Sequence, residues 1–144
     1  MRGFKVAQGY HNIPIPRRST QHSAAYDLAV CESITIPPKA LFKAPTGLKA
    51  YMGPDEVCKL YARSSLAALG LMLPNAVGII DADYYENPQN DGAIFVQLYN
   101  FTDQPVSLEK NTRIAQAMFQ PFLKSDHDEP SLRKRSGGFG STGR

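Results

Sequence analysis

Residues 26–61 read YDLAVCESITIPPKALFKAPTGLKAYMGPDEVCKLY. Short β-rich runs at 26–30, 33–36, 40–44, 46–52 and 56–61 are separated by Pro37-Pro38, Pro45 and Gly53-Pro54, residues that set turns rather than continue a strand. Runs this short at this spacing are the pattern of an all-β sandwich or barrel. Upstream, 3–10 reads as a first strand, followed by an irregular connection through Pro14, Pro16 and Arg17-Arg18. Downstream, Ser64-Ser65-Leu66-Ala67-Ala68-Leu69-Gly70 breaks the β pattern. It offers hydroxyls for an N-cap, an Ala/Leu interior and a terminating glycine, so one short helix is expected there. Strands are then expected near 71–73 and 77–80 and over 93–99, with 78–99 forming a hairpin whose long polar tip is DADYYENPQNDG, 81–92. A further hairpin or meander is expected over 106–108 and 112–123.

The chain has 144 residues, one domain's worth, and Leu, Ile, Val and Phe supply 33 of them, enough for a core without staples. Its character changes at Ser125. The last stretch, SDHDEPSLRKRSGGFGSTGR, has almost no aliphatic residues, so the expected organisation is a β domain over 1–124 and a flexible glycine-rich arm over 125–144.

The formal charge of +3 is unevenly placed. Residues 1–23 carry +4, residues 133–144 carry +4, and the stretch 24–132 carries −5. An acidic body with basic ends does not make the continuous basic face that a nucleic-acid duplex requires. Cys31 and Cys58 stand alone, with no spacing that suits zinc, and read as free thiols. The amino terminus lacks an apolar signal segment, and the longest uncharged stretch, 64–80, is too short and broken to span a bilayer, so a cytoplasmic protein without a membrane partner is expected. The sequon Asn100-Phe101-Thr102 is expected to be idle.

Several motifs carry chemistry. Asp81-Ala82-Asp83-Tyr84 closes a strand with two carboxylates on one face, an arrangement that needs a cation or a proton to relieve repulsion and that suits a general base beside a metal-bound polyphosphate. Arg63-Ser64-Ser65 offers a guanidinium and hydroxyls to an anion. Arg113 and Gln116 of RIAQ point to opposite faces if their strand is regular. Asp27 sits among apolar residues in AAYDL and needs hydrogen-bond partners. Gly137-Gly138-Phe139-Gly140-Ser141-Thr142-Gly143, preceded by Lys134 and Arg135, can bring backbone N–H groups close to phosphate, although it lacks the lysine and the helix of a P-loop.

In order, AAYDL, ARSSLA, the NxxGIIDADY segment, RIAQ and GGFGSTG resemble the five motifs of the trimeric dUTPase family, over essentially the whole chain. The resemblance implies a jelly-roll-like β-sandwich or distorted barrel and a homotrimer with shared active sites. It also implies Mg²⁺-dependent hydrolysis of dUTP to dUMP and pyrophosphate, which limits uracil in DNA and supplies dUMP for thymidylate synthesis. Asp81 would be the catalytic base. Tyr84 would lie under the deoxyribose, and Asn75 with the backbone of Gly78 and Ile80 would read the uracil edge. Arg63, Ser64, Ser65 and Gln116 would meet phosphates or the waters of the metal, and Asp27 would hold a water of a Mg²⁺ carried mainly by the triphosphate. Phe139 would stack on the base, with Gly140, Ser141 and Thr142 toward the γ-phosphate. Lys134 or Arg135 would take the place of the family's phosphate-binding arginine. The nearest enzyme alternative is a dCTP deaminase, but such enzymes carry Glu where Gln97 stands, and an amide cannot shuttle protons. A third reading is a nucleotide-switched regulatory protein that engages a partner through the arm or the 85–91 tip.

Overall fold

The computed structural model describes residues 1–131 and 135–138, and Phe139, Gly140, Ser141, Thr142 and Lys134 lie outside the described residues. The chain forms β1 (Gly3–Val6), β2 (Tyr26–Ala29), β3 (Ile34–Ile36), β4 (Leu41–Pro45), β5 (Leu48–Tyr51), β6 (Glu56–Tyr61), β7 (Leu71–Met72), β8 (Gly78–Asp81), β9 (Phe95–Asn100), β10 (Val106–Leu108) and β11 (Arg113–Pro121). All pairings are antiparallel: β2-β11-β6-β8 make one sheet, β4-β9-β7 another, and β1-β5 and β3-β10 are two-stranded. This is an all-β fold, as the punctuation of 26–61 implies, and it is jelly-roll-like, as the family resemblance implies.

Alternation explains which faces meet. In β9 Val96, Leu98 and Asn100 are buried while Phe95, Gln97 and Tyr99 are half-buried. Leu98 packs with Leu28, Ile36, Leu71 and Ile114, all wholly shielded from solvent, in one continuous core. Phe4, Tyr26 and Phe119 close one end of it, with ring centroids 5.3–6.3 Å apart. Cys58 is part of this core; burial pushes its thiol up to about 12, which leaves it an unreactive apolar filler.

Three expectations are corrected. The first concerns the 78–99 hairpin, because β8 pairs with β6 while β9 pairs with β4 and β7. The two runs enter different sheets and the polar segment between them crosses from one sheet to the other. Similarly, β10 pairs with β3, and β11 with β2 and β6, so 106–123 is no hairpin. The helix at 64–70 shrinks to a 3-10 turn over Ala67–Leu69 that begins after Leu66, without a hydroxyl cap, although Gly70 does end it in the left-handed region at φ 83°. A segment this short cannot offset the cost of nucleating an α-helix.

Candidate active site

The crossing of 81–92 between sheets creates a cleft beside Asp81. Where β8 and the start of β9 splay apart, they leave a cavity of about 200 Å³, bordered by Asn75, Gly78, Ile80, Asp81, Tyr84 and Gln97 and covered from the arm by Arg135 and Gly138. It has room for a small ring. Gly78 is buried against Leu60, whose Cβ would lie 3.0 Å from an added Cβ, so a bare backbone is needed on that wall. Ile80 is buried, and exposed Asn75 stands at the rim next to Ala76, whose φ is 61°.

Asp81 ends β8, and the chain turns at once into a 3-10 turn over Ala82–Tyr84. This change of geometry brings Asp81 and Asp83 together on one guanidinium: Arg135 Nη2 donates to Asp81 Oδ2 at 2.5 Å and Arg135 Nε to Asp83 Oδ1 at 2.8 Å. The cation that relieves the carboxylate pair is therefore an arginine of the arm. Gly138 lies on the ring of Tyr84, where an added Cβ would approach Cε1 to 2.5 Å. Tyr84 itself is 7% exposed. Its Oη donates to the Ala93 carbonyl at 2.6 Å and accepts from Asn90 Nδ2 at 2.9 Å, and burial pushes its phenol up.

A second polar cluster forms around Asp27 on β2. Its Oδ1 accepts from Arg63 Nε at 3.1 Å, and its Oδ2 from Ser19 Oγ at 2.7 Å and Arg113 Nη1 at 3.3 Å. Burial pushes this carboxyl up, but the Ser19 and Arg113 hydrogen bonds and the Arg63 charge outweigh burial and hold it below its ordinary value. Arg63 Nη1 also reaches Ser65 Oγ at 3.4 Å, while Ser64 is exposed beside it. Gln116 faces Asp27 across the β2–β11 pair and donates through Nε2 to the Ala62 carbonyl at 2.9 Å. The regular-strand expectation for Arg113 and Gln116 fails because β11 shifts register between Arg113 and Ala115. That bulge buries Ile114 and Ala115 in succession and turns both Arg113 and Gln116 outward toward Asp27. Arg113, to which the family resemblance assigns no role, is thus a member of the cluster, and only the bulge places it there.

One chain does not unite the two clusters. Asp27 and Asp81 stand on the outer strands of the β2-β11-β6-β8 sheet, three strand intervals or roughly 14 Å apart. Gln116 lies opposite Tyr61 and Asp81 opposite Val57, an offset along β6 of another ~14 Å. The carboxylates are at opposite corners, roughly 20 Å apart.

Fold and sites define a jelly-roll protein with a ring-sized cleft guarded by a carboxylate and, at a distance, a guanidinium-rich anion cluster. A dUTPase family model matches residues 11–143. The deoxyuridine 5'-triphosphate nucleotidohydrolase of Lactococcus lactis subsp. lactis (strain IL1403) is 50% identical, the match covering 99% of this chain and 98% of that protein. The crystal structure of a dUTPase from Streptococcus mutans superposes with a TM-score of 0.84 at 48% identity, covering 86% of this chain and 98% of that one. The Staphylococcus bacteriophage 80alpha dUTPase shares the fold at a TM-score of 0.73 and 18% identity, covering 94% of this chain and 99% of that one. The chain belongs to the dUTPase family.

Proposed function

We propose that this protein hydrolyses dUTP to dUMP and pyrophosphate by attack of water on the α-phosphorus, with Asp81 accepting the water's proton. The observation that carries this reading is the carboxylate of Asp81 at the mouth of a ring-sized cleft. Uracil fits between the splayed strands, where the backbone near Gly78 and Ile80 and the Asn75 side chain supply directional partners, and the deoxyribose rests against Tyr84. Closely packed walls discriminate by overlap: a 2′-hydroxyl meets the ring of Tyr84, and the methyl of thymine meets the cleft wall. Gln97 on that wall is an amide and cannot serve as the proton shuttle of a deaminase.

Arg135 holds Asp81. A triphosphate offers the guanidinium a stronger, bidentate partner, so substrate binding draws Arg135 toward phosphate and frees Asp81 for the water. The 125–144 arm acts as a lid in this scheme, a role supported by the position of Arg135 and Gly138 over the cleft. Phosphate charge is then met by Arg63, Ser64, Ser65 and Gln116. These residues lie at the far corner of the same chain, so in this scheme they come from a neighbouring copy, in keeping with the homotrimer with shared sites that the family resemblance implies.

The described residues do not build a Mg²⁺ cage. No three His, Cys, Asp or Glu side chains converge among them, and Asp27 gives both oxygens to Ser19, Arg63 and Arg113. This set does not fit an ion held by the protein, so any Mg²⁺ arrives on the triphosphate. Titrating Mg²⁺ alone into the protein by calorimetry should give no saturable binding below about 1 mM, a concentration at which a carboxylate cage would already show affinity.

The test is a pyrophosphate-release assay with dUTP, dCTP, dTTP and UTP. Turnover should be confined largely to dUTP, and Asp81→Asn should lower it by about 10²–10⁴-fold. Binding of a non-hydrolysable dUTP analogue to that variant should persist. Comparable rates on all four nucleotides, or near-normal turnover by Asp81→Asn, would overturn the assignment.

A further inference from the structure

The 85–92 loop rests on a lysine that belongs to another sheet. Lys49, in the middle of β5, is 8% exposed, an unusual place for an ammonium. Its Nζ donates to Glu86 Oε1 and to Asp91 Oδ2, each at 2.9 Å, and it lies 5.0 Å from the centroid of the Tyr85 ring. Asp91 Oδ2 also accepts from the backbone N–H of Gln8 at 2.8 Å. Both anions occupy the left-handed region, Glu86 at φ 53° and Asp91 at φ 60°, a conformation uncommon for residues other than glycine and more readily adopted by Asp than by Glu. The single lysine thus grips both strained corners of the loop.

Between those corners the loop holds Tyr84 from two ends. Asn87, 5% exposed, donates through Nδ2 to the Tyr84 carbonyl at 2.8 Å and to Asn90 Oδ1 at 2.7 Å. Asn90 in turn donates to Tyr84 Oη. Asn87 Oδ1 receives the N–H groups of Gln89 and Asn90, so the loop is internally closed; its charged external ties run through Asp91 and Glu86, and the Tyr85 ring adds contacts to Tyr51, with centroids 6.1 Å apart, and to Lys5. A chain of contacts therefore leads from β5 to the tyrosine of the cleft.

We propose that Lys49 is a positioning residue for the nucleotide site, clamping Glu86 and Asp91 so that the loop between them sets the Tyr84 ring at the sugar end of the cleft. The inference rests on the reading of Tyr84 as the deoxyribose platform. It assigns to this loop a part in discriminating deoxyribose from ribose. Removing the clamp lets the corners relax out of the left-handed region, and Tyr84 loses its fixed height above the cleft floor. Asp81, at the end of β8, is held by that strand's pairing with β6 and stays in place.

The experiment compares Lys49→Met, Lys49→Arg and Glu86→Gln with the parent protein, with the steady-state kinetics of dUTP and UTP and amide hydrogen exchange as readouts. Lys49→Met should raise KM for dUTP about tenfold while kcat changes much less, and should narrow the preference for dUTP over UTP by about tenfold. Lys49→Arg should restore most of both. Glu86→Gln, altered at a half-exposed carboxylate and expected to fold normally, should shift both values the same way by a smaller factor. Exchange at residues 85–93 should accelerate in Lys49→Met while β6 and β9 stay protected. Unchanged exchange at 85–93 together with unchanged discrimination overturns the proposal, as does a loss of protection throughout the chain with kcat and KM failing together. The exchange readout is independent of turnover. Should the parent protein not hydrolyse dUTP, local loosening would uphold the clamp and reject the enzymatic reading, whereas an active parent with a rigid loop in Lys49→Met would reject the clamp alone.

Discussion

Asn100 shows how much one polar side chain can specify. It is wholly buried at the end of β9. Its Nδ2 donates to the carbonyls of Ile36, Pro37 and Gln104 at 2.8–3.1 Å, and its Oδ1 accepts from the N–H and hydroxyl of Thr102. The same geometry makes the sequon idle, since the amide nitrogen is buried and engaged. Asn100→Ala leaves several main-chain groups in the interior without partners and should destabilise the fold by about 3 kcal/mol, measured by urea unfolding at fixed protein concentration. Gly138 is the corresponding point on the arm. Because a Cβ there would press on the Tyr84 ring, Gly138→Ala should leave the unfolding transition unchanged and raise KM for dUTP by about tenfold, through misplacement of the arm rather than loss of a contact. A KM equal to that of the parent would mean that the arm does not close over Tyr84.

At the scale of elements, the strands near 26–61 were legible because prolines and glycines bound each run and alternation within it marks the buried face. Partners were not legible. Neighbours in sequence usually pair, which is why β8 and β9 read as a hairpin, yet the apolar run of β8 completes one sheet and that of β9 another. The cleft exists because of that split, so Asp81, Tyr84 and Asn75 could be named from motifs while the shape around them could not. Lys49 is not legible in the sequence, since a lysine in a strand reads as solvent-facing until its carboxylate partners, some 40 residues away, are known. Its clamp should show in the pH dependence of stability. Burial pushes the Lys49 ammonium down, but the hydrogen bonds of Asp91 and Glu86 outweigh it and hold its value above 10.5. The Lys49 hydrogen bond in turn lowers Asp91 below 3.8 and Glu86 below 4.5. A raised lysine stabilises fully below 10.5 and loses its contribution as pH rises through the folded value; lowered carboxylates stabilise above their ordinary values and lose theirs as pH falls through the folded ones. The gap in urea midpoint between the parent and Lys49→Met should therefore be flat from 4.5 to 10.5 and close on both sides of that window. A truncation after Leu132 tests the arm in the same spirit: it removes Arg135 and Gly138, so turnover should collapse while the far-UV circular dichroism of the β domain persists.

Across the whole molecule, the charge imbalance of the sequence resolves into separate local tasks. Three of the four amino-terminal cations serve the fold: Arg2 pairs with Glu56, Lys5 lies over the rings of Tyr51 and Tyr85, and Arg18 donates to the carbonyls of Gln21 and Ser23. Arg135 serves the cleft, and Arg63 and Arg113 gather at the opposite corner with Asp27. The distance between the corners makes the assembly testable without an image of it. If a working site takes Asp81 from one copy and Arg63 from the next, chains carrying Asp81→Asn and chains carrying Arg63→Gln are each inactive alone, because every site lacks one partner. Unfolded together and refolded as a mixture, they form trimers in which some sites draw the intact Asp81 from one variant and the intact Arg63 from the other. Random assembly of equal amounts makes about one quarter of sites complete, so the mixture should recover roughly that fraction of parental pyrophosphate release, with a light-scattering mass near three chains. If each chain supplied its own site, mixing would restore nothing, since no chain in the mixture carries both residues.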